Sequence, residues 1–260
     1  MAQTLSESER SKFTAAKLAT TYVESGMKVG LGTGSTAEWL VRHLGAMVIE
    51  EDLDIVAVPT SSRTAKLAMS FGIKIITLEE AIWLDVTIDG ADEFDRDFNL
   101  IKGGGGALLR EKIVARASQK MIVIADKSKE VTKLGDFALP IEVIPFGLGS
   151  TQALIEAKLK DLGYKDFDIQ LREKEGASFV TDDGNNILDT HLGAIFNPKK
   201  LTKDLNSIPG VVENGLFVDI CETVILGSKN GIGEVRTLVD GKTVTETERH
   251  SENLYSIIGK

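Results

Sequence analysis

Met27-Lys28-Val29-Gly30-Leu31-Gly32-Thr33-Gly34-Ser35-Thr36-Ala37 is the stretch on which the fold turns. Met27 to Leu31 reads as a short strand, and Ala37 to Leu44 reads as a helix. Between them lie two glycines and three hydroxyl residues, a tight strand-to-helix turn. The same alternation spreads outward from this unit. Before it, Ser11 to Ser25 carries Phe13, Ala16, Ala19, Tyr22 and Val23 at spacings of three and four, the pattern of an amphipathic helix. After it come apolar runs at Asp54–Val58, Ile73–Ile76, Leu84–Ile88 and Met121–Ala125, with helical segments at Thr64–Phe71 and Ala107–Ala117. Short β-branched strands alternating with helices imply right-handed crossovers. The expected fold is therefore α/β, a doubly wound, mostly parallel sheet.

The pattern changes after Asp136. Pro140 and Pro145 bracket a strand at Ile141–Ile144, and Thr151–Leu162 is helical, with Leu154, Ile155, Leu159 and Leu162 on one face. Phe167–Leu171 alternates like a strand. Ser178–Val180 and Asn186–Leu188 flank the turn Asp182-Asp183-Gly184-Asn185, which reads as a hairpin. Pro198–Leu205 reads as a helix with proline in its first turn, and Val211–Phe217 as one more strand. Strand-helix-strand-strand-helix-strand is the split βαβ order of a ferredoxin-like unit. The expected organisation is an α/β domain over 1–136 and 213–260, with an α+β ferredoxin-like domain over 137–212 between its two parts. Val218–Leu226 would return to the main sheet. The stretch from Asp240 to Lys260, polar as far as Asn253, is expected to be loosely ordered, with Leu254–Ile258 able to dock.

Composition narrows the function. The chain has 260 residues and a formal net charge of −9. That balance argues against nucleic acid and anionic membranes as partners, since both reward clustered Lys and Arg. No apolar run approaches the ~20 residues of a membrane helix. The first residues show no secretory pattern, so the protein is expected to be cytoplasmic. Cys221 is the only cysteine, which excludes an internal disulfide and a cysteine-based zinc site. With three scattered histidines, a His-rich metal site is not expected; nor is a cofactor.

Three segments follow strands directly, where open α/β sheets bind ligands. Gly32-Thr33-Gly34-Ser35-Thr36 offers consecutive backbone N–H groups and a helix N-terminus to an anion. It lacks the Gly-Lys-Ser/Thr ending of a P-loop and the third glycine of a dinucleotide fingerprint, and it reads equally as a plain capped turn. Asp89-Gly90-Ala91-Asp92-Glu93 places two carboxylates three apart for metal ligation or proton handling; alone it also reads as a solvated acidic turn. Lys102-Gly103-Gly104-Gly105-Gly106 is entropically expensive to order, so it points to a close backbone approach or a lid. A helix starting near Gly106 would set Ala107 and Glu111 on one face, turning Glu111 back towards the glycines. In a dry cleft such a glutamate suits a general base, and on a solvated face it is one charge among Arg110-Glu111-Lys112. Ala125-Asp126-Lys127-Ser128-Lys129 adds ammonium groups at the same end of the sheet or, read alone, on the surface.

Taken together these segments resemble the A-type ribose-5-phosphate isomerases. The matching stretches are Gly32–Ala37, Asp89–Glu93, Lys102–Gly105, Arg110–Lys112, Ile124–Lys129, Pro140–Pro145 and Ile208–Val212, in the family's order over roughly 12–238. The resemblance implies an aldose–ketose isomerase that interconverts ribose 5-phosphate and ribulose 5-phosphate through an enediol(ate), without metal. It implies Glu111 as the base moving a proton between C2 and C1, with Asp89 and Lys102 as its catalytic partners. It implies sugar-phosphate contacts from Thr33, Gly34, Ser35, Thr36, Asp89, Gly90, Ala91, Asp92, Lys102, Gly103, Gly104, Gly105 and Lys129, with Lys12 a further contact. It also implies a homo-oligomer, a dimer or tetramer. Rival readings are an amino-sugar deaminase or lactonase, a sugar-phosphate sensor, and a nicotinamide-dependent dehydrogenase. The sensor would need a basic helix-turn-helix segment that the chain does not offer, and the dehydrogenase a complete glycine fingerprint. The acidic balance does not oppose one phosphate, which needs only a few aligned amides and a lysine or two.

Overall fold

The computed structural model describes residues 5–249. By packing, the described residues form two compact units: 5–90, 113–129 and 220–249 in one, and 91–112 with 130–219 in the other.

The first unit is built on an eight-stranded sheet. From one edge its order is Lys242–Arg249, Ile232–Val239, Thr223–Gly227, Met121–Asp126, Val86–Asp89, Lys28–Leu31, Val56–Pro59 and Lys74–Ile75. The last six run parallel, and the first two close the edge as an antiparallel hairpin. The central strands are buried along most of their length, as a parallel sheet covered on both faces requires. Ala15, Leu18, Val29, Leu31, Leu40, Leu44, Ile88, Ile122, Ile124 and Ile225 form the core around them. From Lys28–Leu31 the chain runs outward through Val56–Pro59 and Lys74–Ile75, then crosses back to lay Val86–Asp89 on the other side of Lys28–Leu31. This reversal leaves a crevice at the carboxyl ends of those two strands. The Gly32 loop and Asp89 sit there.

The second unit holds a four-stranded antiparallel sheet, in the order Val211–Asn214, Leu139–Val143, Asn186–His191, Asp168–Leu171. Numbered along the chain that is 4-1-3-2, the expected ferredoxin-like arrangement, with helices Leu148–Asp161 and Pro198–Asn206 as its crossovers. Ile141, Ile155, Leu159, Leu188, Leu201 and Leu205 are its core. A separate three-stranded sheet joins Glu93–Phe94, Leu100–Ile101 and Leu216–Phe217. This sheet is why 91–112 packs with 130–219, a division that differs from the sequence boundaries at 136 and 212.

Several expectations need correction. Val211–Phe217 is not one strand. Gly215 N–H donates to the Pro140 carbonyl at 2.7 Å, and past this break Leu216–Phe217 joins a different sheet. The turn at 181–185 forms, with Thr181 N–H donating to the Asn185 carbonyl, but it does not join a hairpin of the expected strands. Ala177–Ser178 pairs instead with Glu173–Lys174, and Asn186–His191 is claimed by two longer neighbours. The helix expected to Ser25 ends at Ala19 and tightens into a single turn, Thr20–Tyr22. Lys242–Arg249 is not loose chain but an edge strand paired along its whole length with Ile232–Val239. The expected docking segment Leu254–Ile258 lies outside the described residues.

Candidate active site

In the first unit, the site residues gather on Asp89. This carboxylate ends the strand Val86–Asp89 and is fully buried. Its Oδ1 accepts the N–H of Thr33 at 3.1 Å and its own neighbour's, Gly90, at 2.7 Å. Gly32 N–H donates to the Ile88 carbonyl at 3.0 Å, so the loop is laced to the next strand at two points. A Cβ on Gly32 would fall within the Asp89 carboxylate; only glycine lets the two approach. Gly34 has φ +117° and caps the helix Ser35–Glu50 with no side-chain hydrogen bond. The first amides of a helix have no intrahelical partner, and here the macrodipole adds partial positive charge. Ser35 is exposed and Thr36 partly so.

Thr33 behaves differently from its expected role as one more donor to a ligand. Its hydroxyl lies 2.7 Å from that of Thr60, 2.8 Å from Ser61 and 3.3 Å from Thr64. Thr64 in turn donates to the Gly32 carbonyl at 3.0 Å. Thr60, Ser61 and Thr64 were not singled out by the sequence, although they follow the neighbouring strand Val56–Pro59 as Thr33 follows its own. That shared position was the available signal. Lys129 closes a short turn, Lys127–Lys129, after the strand Met121–Asp126, and is partly buried. Lys12 is drawn aside: its ammonium lies 2.8 Å from Glu9, whose other oxygen accepts the Trp39 indole N–H at 2.8 Å.

In the second unit, Lys102 and Glu111 come together. The Lys102 ammonium lies 3.3 Å from Glu111 Oε2, and the two side chains are only 2% and 4% exposed. Two charges this dry persist only because each compensates the other. Lys102 leaves the strand Leu100–Ile101 with its N–H held by the Gly215 carbonyl at 2.9 Å, and its ammonium lies 5.4 Å from the Phe217 ring centre. Glu111 stands in the first turn of the helix Leu108–Arg116, its N–H donating to the Ala107 carbonyl at 2.9 Å. The following residue, Lys112, turns to Glu213 and the Asn214 carbonyl, at 2.8 and 2.6 Å.

The glycine run between them is a fixed turn. Gly103 and Gly106 are buried with φ +108° and +79°, and Gly106 N–H donates to the Gly103 carbonyl at 2.9 Å. Gly104 and Gly105 are exposed. Gly104 N–H donates to Asp92 Oδ2 at 2.8 Å, and Asp92 is itself fixed by its N–H to the Ile101 carbonyl at 2.8 Å. Next to Asp92, burial pushes the Glu93 carboxyl above the usual range, against the opposing bonds from the N–H groups of Gly135 and Phe137. Arg110, read as a solvated charge, reaches Asp183 through Nε and Nη2 at 3.0 and 2.7 Å, tying the helix start to the 181–185 turn. Ala91 and Gly90 are the two partly exposed residues between Asp89 and Asp92.

Comparisons with known proteins agree with one another. A family model described as ribose 5-phosphate isomerase A (phosphoriboisomerase A) matches residues 56–231. The ribose-5-phosphate isomerase A of Ruegeria sp. (strain TM1040) is 57% identical over 260 residues, covering 98% of each chain. Among solved structures, a D-ribose-5-phosphate isomerase in complex with phospho-erythronic acid is 36% identical with a TM-score of 0.79, covering 94% of this chain and 100% of that one. The ribose 5-phosphate isomerase from Plasmodium falciparum gives 36% and 0.80, covering 92% and 98%. No helix among the described residues is long and apolar enough to cross a membrane.

Proposed function

From the premise that this chain belongs to the ribose 5-phosphate isomerase A family, and so interconverts ribose 5-phosphate and ribulose 5-phosphate, we propose that Glu111 is the base of the reaction. The observation that carries this is the dry Lys102–Glu111 pair. Moving the C2 proton of the open-chain aldose to C1 needs a carboxylate that takes the proton and returns it. Between those steps an enediolate oxygen carries negative charge, which a fixed cation stabilises where water is excluded. Lys102 supplies that cation and Glu111 the base. Asp89 assists ring opening and the proton transfers at O1 and O2, and Asp92 contacts hydroxyls, with the backbone of Gly90, Ala91 and Gly103–Gly105 alongside.

The phosphate falls to the Gly32 loop. With the Thr33 N–H taken by Asp89, the N–H groups at Gly34–Thr36 and the helix N-terminus they open favour a dianion without any compensating side-chain charge. Lys129 adds an ammonium, and Lys12 is a further contact once it leaves Glu9. The working form is a homodimer or homotetramer, and the single cysteine suits the cytoplasm.

The test is a coupled assay that follows ribulose 5-phosphate from ribose 5-phosphate. Glu111→Gln keeps the size of the side chain and removes the base. Turnover is expected to fall by at least about 10³-fold while the sugar phosphate still binds. Turnover within about tenfold of wild type would sink the assignment. Ammonia release from an amino-sugar phosphate would favour the deaminase reading instead.

A further inference from the structure

We propose that Arg172 is a positioning residue for the isomerisation, acting through the glycine turn. It rests on the reading of Lys102 and Glu111 given above.

Arg172 follows the edge strand Asp168–Leu171, about 70 positions from the glycines, and its side chain is only 13% exposed. All three guanidinium nitrogens are engaged. Nε and Nη2 hold the two oxygens of Asp189 at 2.8 and 2.5 Å. Nη1 donates to the carbonyls of Gly103 at 2.7 Å and Gly104 at 3.3 Å. The guanidinium carbon also lies 5.9 Å from the ring centre of Phe179, and a Cβ on Gly106 would run into that ring. Arg172 and Phe179 thus close on the turn from the carbonyl side.

The consequence follows from peptide geometry. In a trans peptide the C=O and the N–H point in opposite directions. Fixing the Gly103 and Gly104 carbonyls on Arg172 therefore sends the N–H groups of Gly104 and Gly105 the other way. The first of these donates to Asp92, as this geometry demands. A run of four glycines has no side chains to choose its own rotation, so beyond the one internal bond from Gly106 N–H to the Gly103 carbonyl the choice comes from outside. Arg172 makes it, and with it sets the chain direction out of Lys102. A lysine cannot reproduce the arrangement, because one ammonium cannot hold a carboxylate in a two-point fork and two carbonyls in a plane.

The experiment measures kcat and KM for ribose 5-phosphate in Arg172→Ala, Arg172→Lys and Asp189→Asn, with melting temperatures for each and Glu111→Gln as control. Arg172→Ala is expected to lower kcat about 100-fold with KM changed less than about threefold, the signature of misplaced reacting groups. Arg172→Lys should fall close to Arg172→Ala. Asp189→Asn, the milder variant in case Arg172→Ala folds poorly, should lose about tenfold in kcat. Millimolar guanidinium should restore part of the Arg172→Ala activity and none of the Glu111→Gln activity. If kcat in the folded variants stays within about twofold of wild type, or falls only as the folded fraction falls, Arg172 does not position the turn. An active Glu111→Gln would overturn the underlying reading itself; a dead Glu111→Gln beside normal Arg172 variants overturns only this proposal.

Discussion

The two glycine loops look alike as sequence and are opposite as chemistry. Gly32–Thr36 is held without a cation: three hydroxyls around that of Thr33, backbone amides, and one buried carboxylate that accepts from the loop. Lys102–Gly106 is held by ions: Lys102 with Glu111, and Arg172 with Asp189. Their glycines also serve different ends. Gly32 is needed because a side chain would strike Asp89, whereas Gly103 and Gly106 are needed for left-handed torsion angles. The difference matches two kinds of charge. A phosphate keeps its charge through the reaction, and aligned dipoles suffice for it. A reacting carbon gains and loses charge, and a paired acid and cation can follow it.

The harshest way to break this comparison is Gly32→Ala. The new methyl displaces the Asp89 carboxylate from Thr33 and Gly90. We expect kcat/KM to fall more than about 100-fold, with a destabilisation of about 1–3 kcal/mol in urea unfolding. Wild-type kinetics would mean that Asp89 does not need its bond to the loop. Thr33→Val is milder. It keeps the shape and leaves Thr60, Ser61 and Thr64 short of a shared partner, at a cost of about 1–3 kcal/mol. If the hydroxyls serve the loop's shape, the loss appears in stability and in KM; a fall in kcat alone would make Thr33 part of the chemistry.

How much of this could be read in advance depends on the reach of each signal. Apolar β-branched runs and period-3.6 segments located the strand at Met121–Ala125, one residue short of its observed end, and the split order of the ferredoxin-like sheet, because both signals are local. The edge hairpin was missed because Lys242–Arg249 alternates charged and hydroxyl residues with no apolar face to announce it. Its turn did carry a signal: Asp240-Gly241, with φ of +50° and +72°, is a favoured two-residue hairpin turn. The break at Gly215 was invisible, since it depends on Pro140 and Leu100–Ile101, far away in the chain. The same holds for the site. Asp89, Asp92, Lys102 and Glu111 stand in short motifs beside strand ends and were legible as candidates. Arg172 and Asp189 sit in no motif, and only the tertiary register of their strands turns them to the glycines.

A gentler test sharpens the contrast between a buried carboxylate in contact with a lysine and one whose contacts are neutral, with Arg110 acting on it only through its field. Glu142, in the strand Leu139–Val143, is as buried as Glu111, but its Oε1 accepts from neutral groups, the Thr181 hydroxyl at 2.9 Å and the Asn185 amide at 3.0 Å. Burial pushes its carboxyl above the usual range, the two bonds oppose this, and the nearby Asp183 adds to it. A raised acid holds its proton in the folded state to a higher pH than in the unfolded chain. Its contribution to stability is then complete below the ordinary glutamate range, about pH 4, and is lost as pH rises through the raised value. Glu142→Gln keeps the acceptor for Thr181 and Asn185 and removes the charge. Thermal melts from about pH 4 to about pH 8 should therefore show the variant gaining on wild type as pH rises, and at least equal to it at neutrality. Glu93, raised in the same direction, contributes equally to both proteins and cancels in the difference. Parallel curves would mean that the field of Arg110 compensates Glu142 as fully as Lys102 does Glu111, and would erase the distinction between them. Turnover should stay within about twofold of wild type, because Glu142 acts on the 181–185 turn and not on the substrate.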